Sequence, residues 1–243
     1  MKTYKDLTSL LYYDQLIQEG VNDPGIFKIV FTAGGPGSGK SFISGKTGLT
    51  SMGLRAVNSD DIFEKKLEAA FERSMNDIGP KDIMSPRGQE IRGGAKKLTG
   101  KKQDILIDGR IGLLIDGTGK DVKKIKKQKA GFERLGYECM MIFVNTTLDT
   151  SISRDKMRSR TVGADAVTDM WSEVQNNIGA FQRMFGNDKF IVVDNTEGKD
   201  FKKETMPAYK TAKRFISKPP KTRGALRWIE NEMNRRNITK KKK

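Results

Sequence analysis

Short apolar runs alternate with longer amphipathic stretches along this chain, and the alternation predicts the order of its elements. Five runs read as strands: Ile26–Ala33, Gly53–Val57, Ile111–Ile115, Tyr137–Val144 and Phe190–Asn195. Ile111–Ile115 is a continuous apolar run, as expected of a strand covered on both faces. Helical spacing predicts helices over Tyr4–Glu19, Ser41–Lys46, Ile62–Arg73, Gln89–Leu98, Val122–Leu135, Leu148–Arg158, Ala166–Phe185 and Gly224–Arg236. Asn22–Gly25 reads as a turn. Residues 75–86, with Gly79-Pro80 and Ser85-Pro86, read as a loop, and Ile105–Arg110 as an apolar stretch that turns. Strands that alternate with helices imply a mostly parallel five-stranded sheet with helices on both faces, a three-layer α/β architecture.

Between the first strand and its helix lies Gly34-Gly35-Pro36-Gly37-Ser38-Gly39-Lys40-Ser41, which matches G-x-x-x-x-G-K-[ST] at every fixed position. Strand, glycine-rich turn and helix start are the context in which this motif binds phosphate. Glycines let backbone N–H groups curl around phosphate oxygens, and the helix N-terminus adds unpaired donors. Gly35, Pro36, Gly37, Ser38, Gly39, Lys40 and Ser41 are therefore the expected ATP-binding residues. Lys40 is expected to reach the β- and γ-phosphates, and the Ser41 hydroxyl to hold Mg²⁺. The fold expected is that of a P-loop NTPase of the kinase type.

Composition narrows the chemistry. The chain has 243 residues and no histidine, which excludes a His general base, a Ser-His-Asp triad and His-ligated zinc. Any acid–base step falls to Asp, Glu, Lys or Tyr. The single cysteine, Cys139, lies in an apolar run and is expected in the core. No run reaches the roughly 20 apolar residues of a membrane span, and Met1–Asp6 lacks the apolar stretch of a secretory signal, so a cytoplasmic setting is expected. The net charge is +16, but residues 201–243 carry 15 Lys and Arg against 3 Glu, a net of +12, which leaves +4 for residues 1–200. The expected organisation is a kinase core over 1–200 with a basic, partly helical extension over 201–243 that ends in a flexible lysine run. Trp228 among Arg223, Arg227, Arg235 and Arg236 could give that extension stacking and phosphate contacts with nucleic acid. The lysines of 122–135 mostly fall outside its apolar stripe and read as a solvated face.

Three features fall at strand ends, where catalytic groups of such sheets lie. Asp60-Asp61 follows the second strand; a carboxylate there can take the proton of an attacking hydroxyl, and Ser59, Asp60 or Asp61 can also cap the helix. Asp116 ends the third strand, where a carboxylate helps hold Mg²⁺, and Thr118 in Gly117-Thr118-Gly119 offers a hydroxyl. No Glu follows Asp116, which argues against motor ATPases and helicases. Arg154 and Arg158 lie one turn apart on a helix, a spacing that lets two guanidinium groups clamp phosphate oxygens.

With these residues the chain resembles the zeta-toxin and polynucleotide-kinase group of P-loop kinases, zeta toxins more closely, over residues 16–195. The likeness rests on Gly34–Ser41, Asp60-Asp61, Asp116–Gly119, Gly136-Tyr137-Glu138 and the arginines that follow. The chain also resembles small zeta-like kinases encoded by bacterial viruses. The resemblance implies ATP- and Mg²⁺-dependent phosphorylation of a hydroxyl, on a UDP-linked amino sugar as in zeta toxins or on a nucleic-acid 5′ end as in polynucleotide kinases. It places the base on Asp61 in the zeta register and on Asp60 in the polynucleotide-kinase register. It puts acceptor contacts on Asp116 and Thr118, the arginine clamp on Arg158 with Arg154, and a further lid arginine on Arg160. Phe63 stands where polynucleotide kinases carry a substrate-binding arginine, and the segment after Arg160 is shorter than in zeta toxins. An ATP-binding module without transfer activity is a third reading.

Overall fold

The computed structural model describes residues 21–157 and 161–241. The helix expected over Tyr4–Glu19 lies outside the described residues, as do Arg158 and Arg160. Five strands, β1 (Lys28–Ala33), β2 (Arg55–Val57), β3 (Leu113–Asp116), β4 (Glu138–Asn145) and β5 (Phe190–Asp194), form one sheet in the order β2-β3-β1-β4-β5. Every neighbouring pair is parallel. β1 sits at the centre with all six residues buried.

Nine helices run through the described residues: α1 (Lys40–Lys46), α2 (Asp60–Phe71), α3 (Pro80–Met84), α4 (Pro86–Asp108), α5 (Val122–Arg134), α6 (Leu148–Lys156), α7 (Ala164–Phe185), α8 (Phe201–Ser217) and α9 (Arg223–Lys241). The two-residue period of a strand sorts its side chains between two helical layers. On β4, Cys139, Met141 and Phe143 face one core with Ile125 and Phe132 of α5 and Val174, Phe181 and Phe185 of α7. Met140, Ile142 and Val144 face the other, with Ile43 of α1 and Ala208, Ala212 and Ile216 of α8. Burial pushes the Cys139 thiol up to about 12, so it is a packed core residue. Among the described residues no helix is long and apolar enough to cross a membrane.

Three stretches differ from the sequence reading. Residues 75–86 are not a loop: they hold a 3₁₀ turn (Met75–Asp77) and α3, which Pro80 opens from its first turn, where a missing N–H costs nothing. The Asp82 carboxyl pairs with Arg73 at 2.9 Å and accepts from Gly79 N, and these contacts, the Arg73 bond first, hold it below its ordinary range. The polar helix expected over Gln89–Leu98 is the middle of α4, which runs on to Asp108 through four glycines. Gly88 is required where α4 passes α3, since a Cβ there would lie 2.8 Å from the Ile83 carbonyl carbon. Finally, residues 201–217 form α8, whose Ala208, Ala212 and Ile216 pack on the sheet, while Ala225 and Trp228 of α9 join the opposite core. The basic stretch thus packs on the two cores at least to Ile229.

One charged pair lies inside this framework. Lys28, fully buried at the start of β1, bonds Glu138 at the start of β4 and lies 5.1 Å from the Phe215 ring centre. Burial pulls the Lys28 pKa below 10.5, against the hydrogen bond and charge of Glu138. The unfolded chain therefore binds this proton more tightly, so the group's contribution to stability grows as pH rises toward 10.5. Glu138→Leu leaves the ammonium buried and unpaired and should cost about 3 kcal/mol in urea unfolding at neutral pH. The double variant Lys28→Met/Glu138→Leu should recover most of that loss; equal stabilities of the single and double variants would contradict this account.

Candidate active site

The phosphate loop leaves β1 at Ala33 and closes at α1, at the carboxyl end of the central strand. Three of its glycines are needed for shape, the first being Gly34, where a Cβ would lie 2.4 Å from the Val144 carbonyl oxygen. Gly37 (φ +68°) lies against α6, where a Cβ would sit 2.6 Å from the Ser151 carbonyl oxygen. Gly39 (φ +84°) precedes α1 in the left-handed region, where a Cβ would collide with the Asn195 amide. N–H groups of such a loop converge on one point only if its carbonyls face elsewhere and find donors. Three side chains supply them. Lys40 Nζ donates to Gly34 O at 2.8 Å and Gly35 O at 3.3 Å. Arg154 Nη1, from α6, donates to Gly37 O at 3.2 Å. Asn195 Nδ2, just past β5, donates to Ser38 O at 2.8 Å.

A cavity of about 740 Å³ opens on the other side of the loop. It brings together Lys40, Ser41, Asp60, Asp61, Asp116 and Thr118, residues drawn from three separate stretches of sequence. Asp60 and Asp61 occupy the first turn of α2 and are exposed to the cavity. The capping differs from expectation: Ser59 makes no side-chain cap, and Asn58 does the work on both carboxylate residues. Its Oδ1 accepts from Asp60 N at 2.9 Å, and its Nδ2 donates to Asp61 Oδ1 at 3.2 Å. Asp116 sits beside Thr32 in the β1–β3 register, and Thr32 Oγ1 donates to Asp116 Oδ1 at 2.8 Å, which fixes that carboxylate at the strand end. The turn after it is held by Asn177 of α7, whose amide donates to Gly119 O at 3.0 Å and Lys120 O at 2.8 Å.

Arg154 does not line this cavity. Its bond to Gly37 O places its guanidinium against the loop backbone. Sequence reasoning passed over Asn58, Asn177 and Asn195 because a lone amide in a loop carries no pattern. It also passed over Glu64, Gln103, Lys124 and Gln128, which complete the cavity wall from α2, α4 and α5. Asp155 is buried at the end of α6 and accepts from Val162 N at 2.9 Å and Gly163 N at 3.1 Å, which ties the end of α6 to the start of α7.

The cavity carries four carboxylates, Asp60, Asp61, Glu64 and Asp116, against the ammonium groups of Lys40 and Lys124. A polyphosphate enters such a site only with a cation. Ser41 and Asp116 both line the cavity, and their oxygens suit Mg²⁺, which binds through one or two protein oxygens together with phosphates. Among the described residues no cluster of three or more Asp, Glu, His or Cys forms an all-protein metal cage.

The family model described as Zeta toxin matches residues 17–205. No curated protein matches the sequence. Among solved structures, the AvrRxo1-ORF1:AvrRxo1-ORF2 complex with sulphate ions superposes with a TM-score of 0.52 at 12% identity, over 77% of this chain and 64% of that one. The same complex with ATP gives 0.51 at 12% identity, over 87% and 73%. The PezAT toxin–antitoxin system of Streptococcus pneumoniae gives 0.48 at 14% identity, over 91% and 96%.

The outward bonds of the loop make a prediction. Asn195→Ala should weaken ATP·Mg²⁺ binding by about five- to tenfold in calorimetry, the worth of one hydrogen bond, without a comparable fall in melting temperature. Gly37→Ala should abolish binding, because strain and the Ser151 contact both reshape the loop. Unchanged affinity in both variants would contradict the assigned loop support.

Proposed function

The chain belongs to the zeta-toxin family of P-loop kinases, and we propose that it transfers the γ-phosphate of ATP to a hydroxyl of a nucleotide sugar or related metabolite. The observation that carries this reading is the cavity itself, with phosphate loop, metal-type oxygens and paired aspartates on shared walls. Its volume of about 740 Å³ suits a small molecule. The existence of an ATP complex of the AvrRxo1 fold is in keeping with ATP as donor.

In the proposed reaction, the loop N–H groups and Lys40 hold the β- and γ-phosphates. Mg²⁺, held by Ser41 and Asp116 with the phosphates, would neutralise charge on the transferring group. Asp61 takes the proton of the acceptor hydroxyl as its oxygen bonds to the γ-phosphorus and the bond to the β–γ bridging oxygen breaks, releasing ADP. The Asn58 amide orients Asp61 for this role, which favours it over Asp60. Thr118 contacts the acceptor. Arg154 supports the loop through its bond to Gly37 O.

A polynucleotide 5′-hydroxyl kinase is the second reading, favoured by the exposed Lys202, Lys203, Lys210 and Arg214 of α8 and by Arg223 and Arg227 of α9. None of these residues lines the cavity, which favours the metabolite.

The test is transfer of label from γ-labelled ATP. Lys40→Ala should lose at least about 10²-fold in rate. Asp61→Asn should lose about 10²- to 10⁴-fold, the worth of a general base, and Asp60→Asn much less. Normal turnover by Lys40→Ala sinks the mechanism, and a larger loss in Asp60→Asn moves the base to Asp60.

A further inference from the structure

Four hydroxyl side chains line the active-site cavity: Ser41, Ser59, Thr99 and Thr118. Three of them are committed. Ser41 is given to Mg²⁺ in the reaction above. Thr99, on α4, donates to Ala95 O at 2.9 Å, the back-bond of a helical threonine. Thr118 Oγ1 accepts from Lys120 N at 3.4 Å within its own turn. Ser59 is different: among the described residues its Oγ makes no hydrogen bond.

The reason is local. Ser59 precedes α2, where a serine ordinarily turns its oxygen onto the N–H groups of the first helical turn from an extended backbone. Ser59 is already helical, with φ −83° and ψ −20°, and its oxygen caps none of those groups. Asn58, one residue earlier, takes that work by accepting from Asp60 N at 2.9 Å. Asn58 Nδ2 also donates to Asp61 Oδ1 at 3.2 Å, which draws the Asp61 carboxylate back over the turn of residues 58–61. One turn therefore carries both an uncommitted hydroxyl and a carboxylate placed to take its proton. The cavity that this turn lines also holds Lys40 and Ser41, the end of the phosphate loop.

We infer that Ser59 is a phosphate acceptor within the chain itself, labelled by the kinase when no other hydroxyl fills the cavity. This step rests on the kinase reading above and balances in the same way. Ser59 Oγ bonds to the γ-phosphorus, the bond to the β–γ bridging oxygen breaks, ADP leaves, and the hydroxyl proton passes to Asp61. What it adds is a second substrate and a brake. Phosphoserine carries a charge of about −1.5 to −2 at pH 7 and disrupts a site when set beside carboxylates. On Ser59 it adjoins Asp60 and Asp61, in a cavity that already holds Glu64 and Asp116. It fills the space in which an acceptor hydroxyl approaches Asp61, so a labelled chain no longer serves other acceptors. A bound acceptor keeps Ser59 from the γ-phosphate, so the substrate protects the enzyme that uses it.

The experiment incubates the full chain with γ-labelled ATP and Mg²⁺, with and without a UDP-amino sugar, and locates the label by mass spectrometry. Wild type should carry phosphoserine at Ser59, at a rate per chain independent of protein concentration, and the UDP-amino sugar should suppress it. Lys40→Ala should carry none, which rules out a contaminating kinase. Ser59→Thr should carry phosphothreonine at the same position, and Ser59→Ala should lose that label while it still binds ATP. Preincubation with ATP alone should remove most of the wild-type transfer to the UDP-amino sugar and leave Ser59→Ala at its starting rate. Label on the sugar nucleotide with none on the chain overturns the inference and leaves the kinase reading intact. Label on Ser59 with none on any added acceptor upholds the inference and removes the metabolite as substrate. Label elsewhere on the chain, equal in wild type and Ser59→Ala, overturns the inference. Full transfer by labelled protein overturns the brake, and bound ATP with label nowhere overturns both readings.

Discussion

A phosphate loop works only if its carbonyls have somewhere else to go. Its N–H groups can meet a phosphate only if the carbonyls that face away from it find donors. Here Arg154 meets Gly37 O and Asn195 meets Ser38 O, while Lys40 bonds Gly34 O and Gly35 O within the loop. Those donors come from α6, which follows β4, and from the end of β5. The loop's shape is thus set by the placing of three parallel strands. Gly37 and Gly39 are the places where α6 and Asn195 come too close for a side chain.

The strands in turn are placed by their two-residue alternation. β1, β3 and β4 each send odd and even residues to opposite cores, so neither face can be exposed without unfolding. All strands point the same way, so every strand end that carries chemistry opens on one rim. Thr32 and Asp116 illustrate the consequence: register neighbours on adjacent strands become a hydrogen-bonded pair under the phosphate loop.

Much of this is legible in the sequence, and the remainder has physical reasons. The five strands and the loop declare themselves because buried parallel strands are continuous apolar runs and because the loop has a fixed spacing. Asp60, Asp61, Asp116 and Thr118 are legible because they follow strand ends. α4 hides because its glycines and lysines carry almost no apolar stripe, and α8 hides because Ala208 and Ala212 are small and surrounded by lysine, with Pro207 inside the helix. Arg154 reads as a phosphate clamp from its spacing, yet its guanidinium serves a carbonyl, which only the approach of α6 to the loop reveals. Asn58 and Asn195 carry no pattern at all; their hydrogen bonds exist only in three dimensions.

What receives the phosphate decides between the two kinase readings. Wild-type protein with γ-labelled ATP and Mg²⁺ is offered UDP-amino sugars and 5′-hydroxyl DNA and RNA oligonucleotides side by side. Label should appear on a UDP-amino sugar and not on the oligonucleotides. Label on the oligonucleotides alone would contradict the metabolite reading and would give the basic surface of α8 and α9 the acceptor.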